Sequence, residues 1–143
     1  MPTKFIKLGF DKKVLCEKSF KNILLNDVAQ GFNVGVNLNY YRGLHVSCIE
    51  ELELKIDGEA IPEHLILFCI NGKKFSINQL KDLYAEFWGL KDTVNIEVYN
   101  GGLQDGEHDV DLTLHIRSPY MQFAPRIYGQ IDSSASKRMT LMK

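Results

Sequence analysis

Apolar and polar residues alternate with a period of two along much of the chain. Phe32, Val34, Val36, Leu38 and Tyr40 share one parity, with Asn33, Gly35, Asn37, Asn39 and Tyr41 on the other. Leu52, Leu54 and Ile56 alternate with Glu51, Glu53, Lys55 and Asp57, and Val94, Ile96 and Val98 alternate with Asn95, Glu97 and Tyr99. Val110, Leu112, Leu114 and Ile116 alternate with Asp109, Asp111, Thr113, His115 and Arg117. Successive side chains of a strand point to opposite faces, so each stretch predicts a strand with one face on a core and one in water. Antiparallel sheets tolerate a wet face, whereas parallel sheets are generally covered on both.

Turn residues fall where these strands would end. Asp57-Gly58 and Asn71-Gly72 suit two-residue type I′ hairpins, whose central positions both need φ > 0. The run Leu65-Ile66-Leu67-Phe68-Cys69-Ile70 is apolar on both parities and predicts an inner strand, or one buried on both sides. Gly101-Gly102 through Asp105-Gly106 predicts a loop into the last long strand. One short helix is expected. Ser76 and Gln79 have capping-box spacing, Ile77, Leu80, Leu83, Tyr84 and Phe87 follow at helical intervals, and Gly89 ends the run. The stretch from Phe20 to Val28 is open between helix and loop.

Short strands with one helical excursion predict a mostly β fold, an antiparallel β-sandwich or jelly-roll-like domain with one short helix. Residues 1–125 form the expected single domain. After Pro125 the chain turns polar and pattern-free through Asp132-Ser133-Ser134-Ala135-Ser136, so 126–143 is expected to be a tail, mobile alone or ordered by a partner.

Composition narrows the function classes. The 143 residues are 45% hydrophobic and 24% charged, which suits one globular domain. A domain of about 150 residues buries about 68–70% of its unfolded surface, enough for a core without disulfides or a structural metal. Lys plus Arg number 17 against 18 Asp plus Glu, and the cations are scattered, so no basic stripe for nucleic acid is expected. Cys16, Cys48 and Cys69 are an odd set without CxxC spacing, which fits a reduced, cytoplasmic setting. The start, Met1-Pro2-Thr3-Lys4-Phe5, lacks a signal-peptide apolar core, and no window approaches the ~20 apolar residues of a membrane helix.

Candidate chemistry is sparse. His45, His64, His108 and His115 show no HxH or HExxH spacing, and His108 and His115 would face opposite sides of one strand. No metal site and no catalytic residue is therefore assigned to this chain. There is no GxSxG elbow, and Gly101-Gly102 opens a strand rather than a phosphate-binding helix. Glu50-Glu51 and Asp109/Asp111 are paired carboxylates, but acids and bases on a wet strand face are more simply cross-strand charge pairs. Two aromatic–arginine clusters end strands: Tyr40-Tyr41-Arg42-Gly43-Leu44 and Arg117-Ser118-Pro119-Tyr120-Met121. Such residues anchor interfaces and sugar sites, or pack a ring on the core rim with arginine stacked over it.

The same clusters carry a family resemblance. The order runs Asn37-Leu38-Asn39-Tyr40-Tyr41-Arg42-Gly43-Leu44, Ser47-Cys48-Ile49-Glu50-Glu51-Leu52 and Lys55-Ile56-Asp57-Gly58-Glu59. Phe75-Ser76-Ile77-Asn78-Gln79-Leu80, Trp88, Gly101-Gly102-Leu103 with Gly106-Glu107-His108, and Arg117-Ser118-Pro119-Tyr120-Met121 follow. Over roughly residues 30 to 125 this resembles the small (β) subunit of the bacterial C-glycoside deglycosidases; its weight lies in the order of several weak motifs.

The resemblance implies a β-sandwich that packs on a large, TIM-barrel-like α subunit, which holds a divalent metal, commonly manganese. The complex would be a carbon–carbon lyase that parts an aromatic, flavonoid-type aglycone from a 3-keto-glucosyl group by enolate-type elimination, with this chain not catalytic alone. Tyr40, Tyr41, Arg42, Arg117 and Tyr120 are then expected at the partner interface or substrate entrance, with His108 a weaker candidate. The main alternative is a stand-alone glycoside-binding β-sandwich using exposed Tyr and Trp88 as stacking platforms. A small cupin-type metal enzyme is the third reading.

Overall fold

The computed structural model describes the backbone of residues 5–6, 14–39, 43–89, 91–124 and 127–141, with side chains described except at 5–6 and 118–130. Thirteen strands are described: β1 (Phe5–Ile6), β2 (Leu15–Leu25), β3 (Val28–Val36), β4 (Leu44–His45), β5 (Ile49–Ile56), β6 (Glu59–Ala60), β7 (Ile66–Ile70), β8 (Lys73–Ser76), β9 (Phe87–Trp88), β10 (Val94–Val98), β11 (Glu107–Ala124), β12 (Ile127–Asp132) and β13 (Ala135–Thr140). One sheet has the order β1-β12-β11-β5-β6, with β13 also on β11, and the other has the order β2-β3-β10-β7-β8. A β4–β9 ribbon completes the set. Apart from the short parallel β1–β12 pair, the ladders are antiparallel. This is the expected mostly antiparallel sandwich.

The core is the apolar parity of these strands. Phe32, Val34 and Val36 from β3, Ile96 and Val98 from β10 and Phe68 from β7 meet Leu54 of β5 and Val110, Leu112, Leu114 and Ile116 of β11 in one buried cluster. Each buried Leu, Ile, Val or Phe contributes about 1.5–3 kcal/mol relative to an exposed one. The inner position expected for the apolar run 65–70 is where β7 lies, between β10 and β8.

Both expected type I′ turns form, with φ 52 and 84 at Asp57-Gly58 and φ 53 and 76 at Asn71-Gly72. A third hairpin corrects the reading of residues 20–28, which are neither helix nor loop. Asn26 and Asp27 adopt φ 50 and 64, and the β2–β3 ladder runs up to Leu25↔Val28. The alternation in β2 was hidden because its register slips between Cys16 and Lys21 and again between Ile23 and Leu24. Ser19 fills the first slip by accepting the Gly35 N–H at 2.6 Å while its backbone carbonyl accepts Asn33 Nδ2 at 2.9 Å.

The expected helix is shorter and tighter. It is a 3-10 segment, Ile77–Asp82, opened by the predicted Ser76/Gln79 capping box. Phe87 and Trp88, expected on its last turn, instead form β9 against Leu44 and His45.

The stretch expected to be a tail is also different. β12 and β13 lie end to end along one edge of β11, sharing the register Gly129↔Ser118 to Thr140↔Glu107. Ser133 and Ser134 interrupt the ribbon, and Leu114 N–H donates to Ser134 Oγ at 3.0 Å. Ile131, Ser133, Met139 and Leu141 point inward and are buried. Serine at an inward position and the exposed Lys137 break the apolar parity, so the ribbon is legible only once β11 is there to pair with.

Gly31 marks a close approach of two strands, because a Cβ there would overlap the Val98 carbonyl oxygen. Gly58 has open space around that position and only its positive φ to satisfy. Gly31→Ala is expected to lower the unfolding free energy by roughly 3 kcal/mol through overpacking, and Gly58→Ala by about 1 kcal/mol through backbone strain. Urea unfolding of both variants checks the order; equal losses would contradict the close approach.

Candidate functional site

At one end of the sandwich two irregularities re-aim the side chains of the sheet. The β11–β5 register passes from His115↔Glu51 to Ile116↔Ile49, leaving Glu50 as the extra residue of a bulge. Bulges occur beside functional sites because they turn a side chain away from its regular face. Here Glu50 and Glu51, though consecutive, are both exposed. Glu51 Oε2 lies 3.0 Å from His115 Nδ1, and Glu50 Oε1 lies 3.1 Å from Arg117 Nη1. Asp132 of β12 approaches the other nitrogen of His115, 3.7 Å from Nε2. Farther along the same face Arg138 bridges Glu107 at 2.8 Å and Asp109 at 2.9 Å. These are the cross-strand charge pairs the alternation predicted.

The second irregularity is in β11. Its pairing with β12 shifts between Ser118 and Gln122, so Pro119, Tyr120 and Met121 are extra residues opposite one step of the partner strand. Proline has no N–H for the ladder, which explains a break there. Beside Glu50, an open hollow of ≈ 170 Å³ lies between Ile49, Glu50, Glu51 and Leu52 on one side and Ile77, Asn78, Leu80 and Lys81 on the other.

Of the site residues proposed from sequence, Arg117 stands at this end. Tyr120 is placed there by its backbone, and its side chain lies outside the described residues. Tyr40, Tyr41 and Arg42 also lie outside them. Their neighbours are placed. Asn39 is buried and donates its backbone N–H to Ser133 Oγ at 3.3 Å, and Leu44 pairs with Trp88. The ring of Phe87 lies over Gly43, where a Cβ would meet it at 2.6 Å. His45 packs edge-on against Phe87 with centroids 5.1 Å apart. Phe87 is 42% exposed and Tyr84 70%, so this end presents aromatic rings that the helical reading of 77–87 did not single out.

Trp88 is no stacking platform. It is 1% exposed, donates Nε1–H to the Asp92 carbonyl at 2.8 Å and meets Phe68 edge-on at 5.7 Å. An open polar cleft of ≈ 530 Å³ on the outer face of β2, β3 and β10 is lined by Lys18, Lys21, Asn22, Asn33, Asn95 and Glu97, with Cys16, Ser19 and Ile23. Among the described residues no aromatic face lines it.

His108 lies at the opposite end and faces inward. It is nearly buried, and Phe20 packs on its ring at 6.1 Å. Nδ1 is 2.7 Å from Asp57 Oδ2, and Nε2 is 2.7 Å from the Gln104 carbonyl oxygen. Both neighbours are acceptors, so the pocket favours the protonated ring, which donates from both nitrogens. Burial pulls its pKa down, but the Gln104 carbonyl and the Asp57 carboxylate outweigh that and hold it above 6.5. Asp57 is held below its ordinary 3.8 by His108 and by the Asp109 N–H. The ring clasps the Asp57-Gly58 turn to the glycine-rich loop.

The thiol of Cys69 is pushed up to about 11, first by burial and then by Glu97 beside it, so it stays protonated at neutral pH. Glu97 accepts from Lys74 at 2.9 Å and Tyr99 at 2.7 Å. Among the described residues no three His, Cys, Asp or Glu side chains converge to hold a metal ion. Among them, too, no helix is long and apolar enough to cross a membrane.

Comparison with known proteins gives one consistent family. The family described as C-glycoside deglycosidase beta subunit matches residues 10–120. A C-glycoside deglycosidase beta subunit of Arthrobacter globiformis is 30% identical over 101 residues, 69% of this chain and 76% of that protein. One from Microbacterium trichothecenolyticum is 33% identical over 109 residues, 74% of this chain and 81% of that one. A 3'-dehydrocarminate deglycosidase beta subunit from a Microbacterium species is 27% identical over 104 residues, 73% of this chain and 78% of its own length.

The clasp makes stability depend on pH in a defined sense. A histidine with a raised folded pKa stabilises fully below its unfolded value, about 6.5, and loses that contribution as pH rises through the folded value. Asp57 contributes above about 3.8 and loses it as pH falls through its lowered value. Wild-type urea midpoints should therefore decline as pH rises past 6.5, and His108→Gln should lack that decline. Parallel pH profiles of the two proteins would contradict an imidazolium at this position.

Proposed function

Since the chain belongs to the C-glycoside deglycosidase beta subunit family, we propose that it is the small subunit of a lyase complex that cleaves aryl C-glycosides oxidised at the sugar's C3. Membership of a beta subunit family makes it part of a deglycosylating enzyme complex with another subunit. The observation that carries the finer reading is the relative named for 3'-dehydrocarminate, a compound carrying the 3'-dehydro modification in its name.

The chemistry follows from that oxidation. A C3 ketone acidifies the proton at C2, and the C1–aryl bond is then β to the carbonyl. A base takes the C2 proton, its electron pair forms the C1=C2 double bond, the C1–aryl bond breaks, and the aryl carbon takes up a proton. Atoms and charges balance without an oxidant. In this proposal the base and a divalent metal, manganese, belong to a TIM-barrel-like large subunit in the cytoplasm, and the aglycone is of flavonoid type. What supports placing proton transfer outside this chain is the engagement of its own groups. His108 is locked at both nitrogens, His115 lies between Glu51 and Asp132, and Arg117 is held by Glu50.

This chain's contribution is proposed at the end where Arg117, the Pro119–Met121 bulge and the Phe87–His45 pair lie; Tyr40, Tyr41, Arg42 and Tyr120 are proposed to share it. Those residues border the substrate entrance or the large-subunit contact. The stand-alone glycoside-binding alternative draws no support from the buried Trp88 or from the cleft without an aromatic face.

Two measurements test the reading. On a 3-keto C-glucosyl flavone, aglycone should be released by the two subunits together and by neither alone; release by this chain alone would end it. Arg117→Ala and Arg42→Ala should weaken co-purification with the large subunit or raise KM about 5- to 30-fold, in line with about 1–2 kcal/mol for an interface arginine. Unchanged assembly and kinetics in both variants would remove these residues from the site.

A further inference from the structure

The β2–β3 hairpin ends in a concentrated group of exposed aliphatic side chains. Leu24, Leu25 and Val28 are 59%, 63% and 60% exposed, and they flank the Asn26-Asp27 turn within five consecutive residues. Large aliphatic side chains scattered singly over a surface need no explanation, but a contiguous group marks an interaction site. The other exposed large hydrophobics among the described residues, Tyr84, Phe87 and Tyr99, are aromatic and carry no aliphatic cluster.

The strands behind the tip are fastened to the glycine-rich loop. Asn22 Nδ2 donates to the Leu103 carbonyl at 2.8 Å, and Asn22 Oδ1 accepts the Leu103 N–H at 2.9 Å. The Gly101 N–H donates to the Gln30 carbonyl at 3.0 Å, and Ala29 Cβ fills the space beside Gly102. The glycine-rich loop is in turn fastened to β11 through His108 and the Gln104 carbonyl. A preorganised apolar knob loses little conformational freedom on docking, which is how rigidity raises affinity.

Area decides what covers it. Three side chains at this exposure offer roughly 300 Å² of apolar surface, the size of a functional patch on a monomer. Two tips meeting each other would bury roughly 600 Å² in total, within the range of lattice contacts and well below the ~1,600 Å² total of a stable interface. A knob of this size needs a concave receptor whose walls also cover the hairpin's flanks. Lys21 and Asp27 are exposed on those flanks and supply a polar rim.

We infer that the β2–β3 tip, Leu24, Leu25 and Val28, inserts into an apolar groove on the large subunit of this chain's complex. The inference rests on the heteromeric part of the proposed function. It adds a contact at the end opposite the Arg117 bulge, so the two ends can be tested separately.

The test is co-expression with the large subunit of the same organism, followed by sedimentation velocity of the purified chains. Wild type is compared with Leu24→Thr, Leu25→Thr and Val28→Thr combined, which keeps β-propensity while removing apolar surface, and with Leu24→Glu alone. Both variants lie at exposed positions and should melt within about 3 °C of wild type. The triple variant is expected to raise the Kd for the large subunit about 30-fold or more. Unchanged Kd in both folded variants, with wild type assembling, overturns the tip while leaving the heteromeric reading intact. Wild type that fails to assemble overturns that reading and the tip with it. A wild-type homodimer dissolved by the variants, with large-subunit affinity unchanged, assigns the tip to a second copy and overturns the inference.

Discussion

The pairing of β11 on both edges holds this fold in register. Over residues 110–116 it is hydrogen-bonded to β5 on one side, and from 107 to 124 it takes β13 and then β12 on the other. Its inward row, His108, Val110, Leu112, Leu114 and Ile116, forms the floor on which the second sheet packs. A slip of one residue would turn that row to solvent and bring Asp109, Asp111 and His115 into the core, so the register is strongly determined.

The two ends of β11 take different tasks from this arrangement. Where the ladder is regular, at the His108 end, the ring is drawn inward and becomes a clasp between a type I′ turn and a glycine-rich loop. Where the ladder breaks, at Ser118–Gln122 and beside Glu50, the chain shows its arginine and its charged bulge to the outside. Rigidity and presentation thus alternate along a single strand. Side chains held by a regular sheet but released at its irregular edge keep fixed positions without being buried.

The His108 ring is held at both nitrogens, the Cys69 thiol stays protonated, and Glu50 with Arg117, Glu51 with His115, and Arg138 with Glu107 and Asp109 pair across strands. Exposed cross-strand pairs of this kind contribute little to stability, about 0–1 kcal/mol each, but they keep the sheet face soluble and specify which strand lies beside which.

Much of this was legible from residues alone. Strict alternation in 94–98 and 110–116, the Asp-Gly and Asn-Gly turns, the Ser76/Gln79 box and the family-bearing order of motifs depend on local chemistry, and local chemistry is written in consecutive residues. The wet-face positions of Glu51 and His115 were likewise implied by parity. Three features were settled only by tertiary structure. The β12–β13 ribbon forms because β11 offers a long unpaired edge, which outweighs an interrupted apolar pattern. Phe87 and Trp88 leave the helical period because Leu44 and His45 supply a strand to pair with. His108 faces inward because Asp57 and Gln104, distant in sequence or in a loop, together satisfy both nitrogens of a nearly buried ring. In each case the deciding partner lies beyond the range over which sequence periodicity can speak, and the hydrogen bonds or packing it supplies exceed the local preference.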